Sequence, residues 1–154
     1  MLRERITAAM KEAMKAGEKQ KLSTVRMIQA ALKDKDIEAR TAGPGTGQIE
    51  EADILALLQK MIKQRNEAAG VYEQGGRPEL AENERAEAAI IREFLPKQMD
   101  EAETRAAIEA AIAETGAAGP KDMGKVIGAL RGKYPGRMDF SKASGLVKDV
   151  LAGK

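Results

Sequence analysis

The residues of this chain that could do chemistry are carboxylates, hydroxyls, lysines, arginines and two tyrosines, because cysteine and histidine are both absent. That absence removes thiolate nucleophiles, imidazole bases and the usual zinc sites. Ser23, Ser141 and Ser144 lie in no recognisable nucleophile setting, and no glycine-rich phosphate loop follows a strand. We therefore predict no catalytic residue, no metal and no cofactor. A close pair of exposed carboxyls in a cleft would be needed to support an enzyme.

Basic charge is concentrated between Lys121 and Lys148, where seven lysines and arginines stand against two aspartates, while the whole chain carries only +2. Clustered cations of this kind neutralise phosphates of nucleic acids. The preceding segment, 98–120, is acidic, with a net charge of −4. The candidate RNA contacts are Lys121, Gly124, Lys125, Gly128, Arg131, Gly132, Lys133, Arg137, Lys142 and Lys148.

Three glycines of this segment form a strip in the predicted helix. On a helical wheel that starts at Lys121, the apolar residues centre near about 190° and Gly124, Gly128 and Gly132 near about 340°. The glycine strip thus lies roughly opposite the core face, beside Lys121 and Lys125. Contact with a nucleic-acid backbone, close packing of another helix within or outside the domain, and a plain solvated face remain three open interpretations.

The elements that position these residues are predicted to be helices, since alanine, leucine, isoleucine and methionine dominate and aromatics are few. The fold class is all-α: an N-terminal helical domain with a long antiparallel helix hairpin, followed by a small three-helix tail domain. In the first domain, helices are predicted from Leu2 to a stop at Gly17, over Glu18 to Arg40, over Glu50 to Gln74 and over Pro78 to Leu95, with an exposed loop over Thr41 to Gly47.

Two features of the first domain involve charged residues. Arg65 falls within the apolar arc of the third helix and is predicted to pair with a glutamate of the fourth, the alternative being that it reaches solvent at the edge of the seam. The lysine-rich face of the second helix, with Lys33 and Lys35, is interpreted as a solvated surface.

The composition changes after Pro96, where helices become shorter and glycine more frequent. Asp100 is predicted to cap a short helix that ends at Gly116, and Asp139 to cap the last helix. A boundary near Lys97 to Met99 divides the chain into domains 1–97 and 98–154.

No apolar run approaches the ~20 residues that a membrane span needs, and the N-terminus lacks the apolar core of a signal peptide. Glu4 and Glu12 argue against a transit peptide. The sequence therefore predicts a cytoplasmic protein without a membrane partner.

Several motifs in order resemble the YqeY-like proteins and the related C-terminal tail domain of the B subunit of the tRNA-dependent amidotransferase. The resemblance covers nearly the whole chain. The motifs are Leu58-Gln-Lys-Met-Ile-Lys-Gln-Arg, Gly76-Arg-Pro-Glu-Leu-Ala, Phe94-Leu-Pro-Lys-Gln-Met, Asp122-Met-Gly-Lys-Val-Ile-Gly, Gly136-Arg-Met-Asp and Leu146-Val-Lys.

The resemblance implies an all-helical protein whose tail domain contacts tRNA, with Lys125, Arg137 and Lys148 at the matching motif positions. Phe140 and Arg131 depart from the pattern, where a small residue and an apolar residue or proline would be expected.

On this basis we expect a non-catalytic accessory protein that binds structured RNA, in particular tRNA, in the context of tRNA-dependent amidation. The alternative is a module that docks on an amidotransferase subunit or an aminoacyl-tRNA synthetase. Any glutamine-dependent carbon-nitrogen ligase activity would then belong to the complex.

Overall fold

The computed structural model describes residues 1–43, 45 and 47–153. Within those residues the chain forms seven α-helices and one short 3-10 turn, and no β-strand occurs. The all-α prediction is confirmed. In this described part of the chain, no helix has both the length and the apolar content needed to cross a lipid bilayer.

The chain divides into two compact units, Met1–Leu95 and Pro96–Lys154, each with a hydrophobic core of its own. The division comes two residues before the predicted boundary, so Pro96 and Lys97 belong to the second unit. The reason is that this segment is hydrogen-bonded to a turn of the second unit, where Arg137 Nε donates to the Lys97 carbonyl at 3.2 Å. Independent folding of the two units stays a prediction.

The first two helices, α1 (Leu2–Ala16) and α2 (Lys19–Thr41), are separated by a turn at Gly17. Gly17 has a φ of 70°, a left-handed conformation that glycine adopts without steric cost. The predicted helix stop at Gly17 is confirmed. The second helix begins and ends one residue later than predicted, because the Thr41 hydroxyl and the Ala42 N–H both donate to the Glu38 carbonyl and extend the last turn.

The predicted loop over Thr41 to Gly47 is therefore shorter at its start. Two of its residues, Pro44 and Thr46, lie outside the described residues.

The next two helices, α3 (Glu51–Gln74) and α4 (Pro78–Arg92), follow each other through Gly75 and Gly76 and pack closely along their length. Glu50, predicted as the first helical residue, instead precedes the first turn in an extended conformation. The prediction that α4 reaches Leu95 is also wrong. Pro96 disfavours helical geometry only in Leu95, and the helix ends earlier, at Arg92, where tight turns carry the Phe94 ring into the core.

The core of the first unit is formed by apolar side chains from all four helices. Its buried members are Leu2, Ile6, Val25, Ile28, Leu32, Ile54, Leu58, Met61, Ile62, Ala88, Ile91 and Phe94.

Arg65 lies at the margin of this core. The prediction that it pairs with a glutamate of α4 is confirmed. Its Nε lies 3.3 Å from a carboxylate oxygen of Glu87, without the alignment of a hydrogen bond. The Nη1 group donates to the Met61 carbonyl at 3.1 Å, and Nη2 lies 3.5 Å from the Met27 sulfur. The guanidinium therefore stays inside the seam, with 14% of the side chain exposed.

The second unit consists of α5 (Glu101–Thr115), α6 (Met123–Lys133) and α7 (Phe140–Leu151), with a 3-10 turn over Pro120–Asp122 before α6. Both predicted aspartate caps are confirmed: Asp100 accepts from the Glu103 N–H at 2.7 Å, and Asp139 from the Ser141 N–H at 2.9 Å. The core residues of this unit are Ala107, Ile108, Ala111, Val126, Leu130, Met138, Ala143 and Val147.

Candidate nucleic-acid interface

The three glycines of α6 line its exposed side. Gly124, Gly128 and Gly132 are all solvent-exposed, and a Cβ added at any of them would meet no atom within 4 Å. Val126 and Leu130, on the other side of the helix, are buried at 0% and 1% exposure. No described part of the unit packs on the glycine strip, which removes the interpretation that close packing within the domain accounts for it.

The lysines beside the strip are exposed, but they do not both belong to α6. Lys125 is in the first turns of the helix, whereas Lys121 lies in the 3-10 turn that precedes it. The helical wheel that starts at Lys121 therefore begins two residues before α6. Pro120 opens this tighter turn, which the Asp122 N–H closes onto the Gly119 carbonyl at 2.9 Å. Among the described residues, no carboxylate forms an ion pair with Lys121 or Lys125.

The two basic residues in the last turns of α6 have partners within the unit. Lys133 Nζ lies 3.1 Å from a carboxylate oxygen of Glu114 in α5. The hydrogen bond to Glu114 raises the pKa of Lys133. Arg131 lies over the Phe140 ring, with 5.4 Å from the guanidinium carbon to the ring centroid. These cations are already engaged, so they are less available for phosphate than Lys121 and Lys125.

Arg137 contacts other residues of the second unit and is therefore not a free cation. Its Nε donates to the Lys97 carbonyl at 3.2 Å, and the guanidinium lies 5.9 Å from the centroid of the Tyr134 ring. Glu103 is 4.0 Å away, and 35% of the Arg137 side chain is exposed. In return, the Met99 N–H donates to the Arg137 carbonyl at 2.9 Å. The residue thus fixes the segment that enters the unit.

The last two predicted contacts, Lys142 and Lys148, are exposed on α7. They lie away from the buried side of that helix, which is marked by Ala143 and Val147, and no ion pair with a described carboxylate involves either of them. Their side of α7 also contains Gly145, where an added Cβ would meet open space.

The seven cations among the ten predicted positions therefore fall into two groups. Lys121, Lys125, Lys142 and Lys148 are exposed cations, whereas Arg131, Lys133 and Arg137 hold ring or charge contacts inside the unit. Sequence reasoning missed the aromatic partners Tyr134 and Phe140. A signal was present for one of them, because Arg131 and Phe140 were the two departures from the expected pattern, and the structure brings them together.

The fold and this surface define an all-helical protein whose C-terminal unit carries a group of exposed lysines. The family model described as Yqey-like protein matches residues 3–151. The chain belongs to the YqeY-like family.

Three curated relatives carry the same name, "Altered inheritance of mitochondria protein 41, mitochondrial". The protein from Clavispora lusitaniae is 33% identical over 95 residues, which are 60% of this chain and 52% of the relative. The protein from Pyrenophora tritici-repentis is 26% identical over 153 residues, or 97% of this chain and 81% of the relative. The protein from Vanderwaltozyma polyspora is 28% identical over 86 residues, or 56% of this chain and 44% of the relative. The chain matches about half the length of the first and third relatives.

The prediction of a cytoplasmic protein is wrong by this comparison. All three relatives are named as mitochondrial proteins. Glu4 and Glu12 could not decide this question, because compartment is not a property that packing or charge in the folded chain determines.

Proposed function

We propose that the second unit binds structured RNA, in particular tRNA, as a non-catalytic accessory module in the context of tRNA-dependent amidation. The observation that carries the proposal is the open glycine strip of α6 beside the exposed, unpaired Lys121 and Lys125. Each helical glycine costs about 1 kcal/mol relative to alanine, and nothing among the described residues of the unit compensates for it. A phosphate backbone that approaches the bare helix supplies that compensation.

The proposed contact is to backbone phosphates and not to bases. Lysines without carboxylate partners neutralise phosphates and release counterions, which gives affinity without sequence preference. The only aromatic rings of the second unit, Tyr134 and Phe140, lie beneath arginines and are half-buried. They offer no free platform for unpaired bases, so the expected ligand is a folded, double-helical RNA surface.

The amidation context is supported by the resemblance of the second unit to the tail domain of the amidotransferase B subunit. The relatives' names support a mitochondrial setting for the protein.

Binding of bulk tRNA at two salt concentrations tests the proposal. With four lysines in contact, affinity should fall by about a hundredfold between about 50 mM and 200 mM salt. Lys125→Ala should weaken binding and reduce the slope of log affinity against log salt by about 1. A matched control is Lys11→Ala, an exposed lysine of the first unit, which should leave both quantities unchanged.

A salt-independent affinity, or the same binding by the Lys125 variant, would contradict the proposal. Docking of the strip on a helical protein would instead give tRNA binding too weak to measure at low salt.

A further inference from the structure

A partly exposed side of α2 carries a shallow groove of about 540 Å³. Its lining residues recur at intervals of three or four, which places them on one side of the helix. Lys33 and Ile37 continue the same stripe toward the end of α2, and Ile37 is 45% exposed. From Lys19 to Ile37 the stripe is about 27 Å long. The groove is lined by Lys19, Leu22, Ser23, Arg26, Met27 and Ala30.

The charge of this stripe is net positive, although the exposed Asp34 lies on the same side of α2. Lys19, Arg26 and Lys33 are exposed, and none forms an ion pair with a described carboxylate. Lys35, outside the stripe, is already paired with Glu38 at 3.2 Å. The interpretation of the lysine-rich face with Lys33 and Lys35 as a solvated surface stays a prediction.

The groove also offers apolar surface between its cations. Leu22 and Met27 are half-buried at its sides, and Ala30 is exposed between them. A methionine side chain adapts its shape to different partners.

We propose that this groove binds an acidic amphipathic helix of a partner protein. Its apolar side chains would pack on Leu22, Met27 and Ala30, while its carboxylates pair with Lys19 and Arg26 at the edges. RNA fits this surface less well, because a phosphate backbone would cover the apolar residues without burying them against apolar atoms, and the groove has no aromatic side chain for stacking. The surface belongs to the first unit.

The probe for the test is a synthetic helical peptide of about 18 residues, which matches the length of the stripe. It consists of leucines at i, i+3, i+4 and i+7 spacing with glutamates elsewhere, and one leucine is replaced by tryptophan. The chain contains no tryptophan, so fluorescence of the peptide reports binding to the intact protein directly. Arg26→Glu and Ala30→Glu, both at exposed positions, should each weaken binding at least tenfold.

Two peptides and one variant serve as matched controls. A peptide with lysines in place of the glutamates, and one of the same composition with the leucine spacing scrambled, should not bind. Lys125→Glu, the same reversal of charge in the second unit, should leave peptide affinity unchanged while it weakens binding of tRNA. Arg26→Glu should show the opposite pattern.

The proposal is overturned if the glutamate peptide does not bind, if the lysine peptide binds equally well, or if Arg26→Glu leaves the peptide affinity unchanged. Loss of tRNA binding in Arg26→Glu without loss of peptide binding would assign the groove to RNA instead. Thermal melts of each variant verify that it folds.

Discussion

Arg3 and Asp36, 33 residues apart in the chain, are joined by two hydrogen bonds of 2.9 Å and 2.8 Å between the guanidinium and the carboxylate. Both side chains also hydrogen-bond the backbone of Ile49, in the segment that follows α2. Arg3 donates to the Ile49 carbonyl at 3.1 Å, and Asp36 accepts from the Ile49 N–H at 2.9 Å. This arrangement fixes α1, α2 and the end of the segment before α3 to each other.

Asp36→Asn should reduce the free energy of unfolding by about 1–3 kcal/mol, because the charge-assisted bonds to Arg3 are weakened while the bond from Ile49 can persist. The hydrogen bond from Arg3 lowers the pKa of Asp36. Its contribution is therefore present above the unfolded pKa of about 4 and is lost as pH falls through the lower folded value. Urea unfolding at neutral and acid pH measures both effects. A difference between variant and wild type that did not shrink in acid would contradict this assignment.

Replacing Glu87 and replacing Arg65 should lower the free energy of unfolding by different amounts. Glu87→Gln leaves a largely buried guanidinium without its counter-charge and should cost about 1–3 kcal/mol. Arg65→Met places a flexible apolar side chain in an apolar seam and should cost less than about 1 kcal/mol, since Glu87 can hydrate. Denaturant unfolding of both single variants tests the order. A larger loss for Arg65→Met would show that the guanidinium contributes mainly through its contacts with Met61 and Met27.

Gly128→Ala should make the second unit more stable while it weakens the binding of tRNA. The added methyl group has open space and a helical backbone, so the variant should be more stable by about 0.5–1 kcal/mol. If RNA approaches the bare helix, the same methyl group should weaken tRNA binding. Thermal unfolding and a tRNA titration on the same sample measure the two effects. Greater stability with unchanged affinity would place the RNA elsewhere.

Arg137 is expected to act through geometry more than through charge. Arg137→Lys keeps the positive charge but removes the planar donor to Lys97 and the stacking on Tyr134, so it should lower stability by about 1 kcal/mol, nearly as much as Arg137→Ala. The salt slope of tRNA binding should remain that of the wild type in Arg137→Lys. A lysine variant as stable as the wild type would mean that charge alone matters here.

The sequence predicted only part of the candidate site, and the contacts of particular residues show why. Charge and helical period placed the glycines opposite Val126 and Leu130, because a wheel depends only on neighbouring positions along one helix. Neither property reveals which cations already have partners. Lys133 meets Glu114 and Arg131 meets Phe140 only after separate helices pack, so a count of basic residues overstated the free charge.

What the sequence determined by itself is the local structure. Gly17 stops α1, and Asp100 and Asp139 begin their helices, because each effect acts over the few residues around a helix end. The tertiary structure decided the long-range contacts, such as that of Arg137 with Lys97, 40 residues earlier. It also decided that α4 ends at Arg92, where burial of Phe94 competes with continuation of the helix. Such contacts depend on how whole helices pack, which the local pattern of residues does not specify.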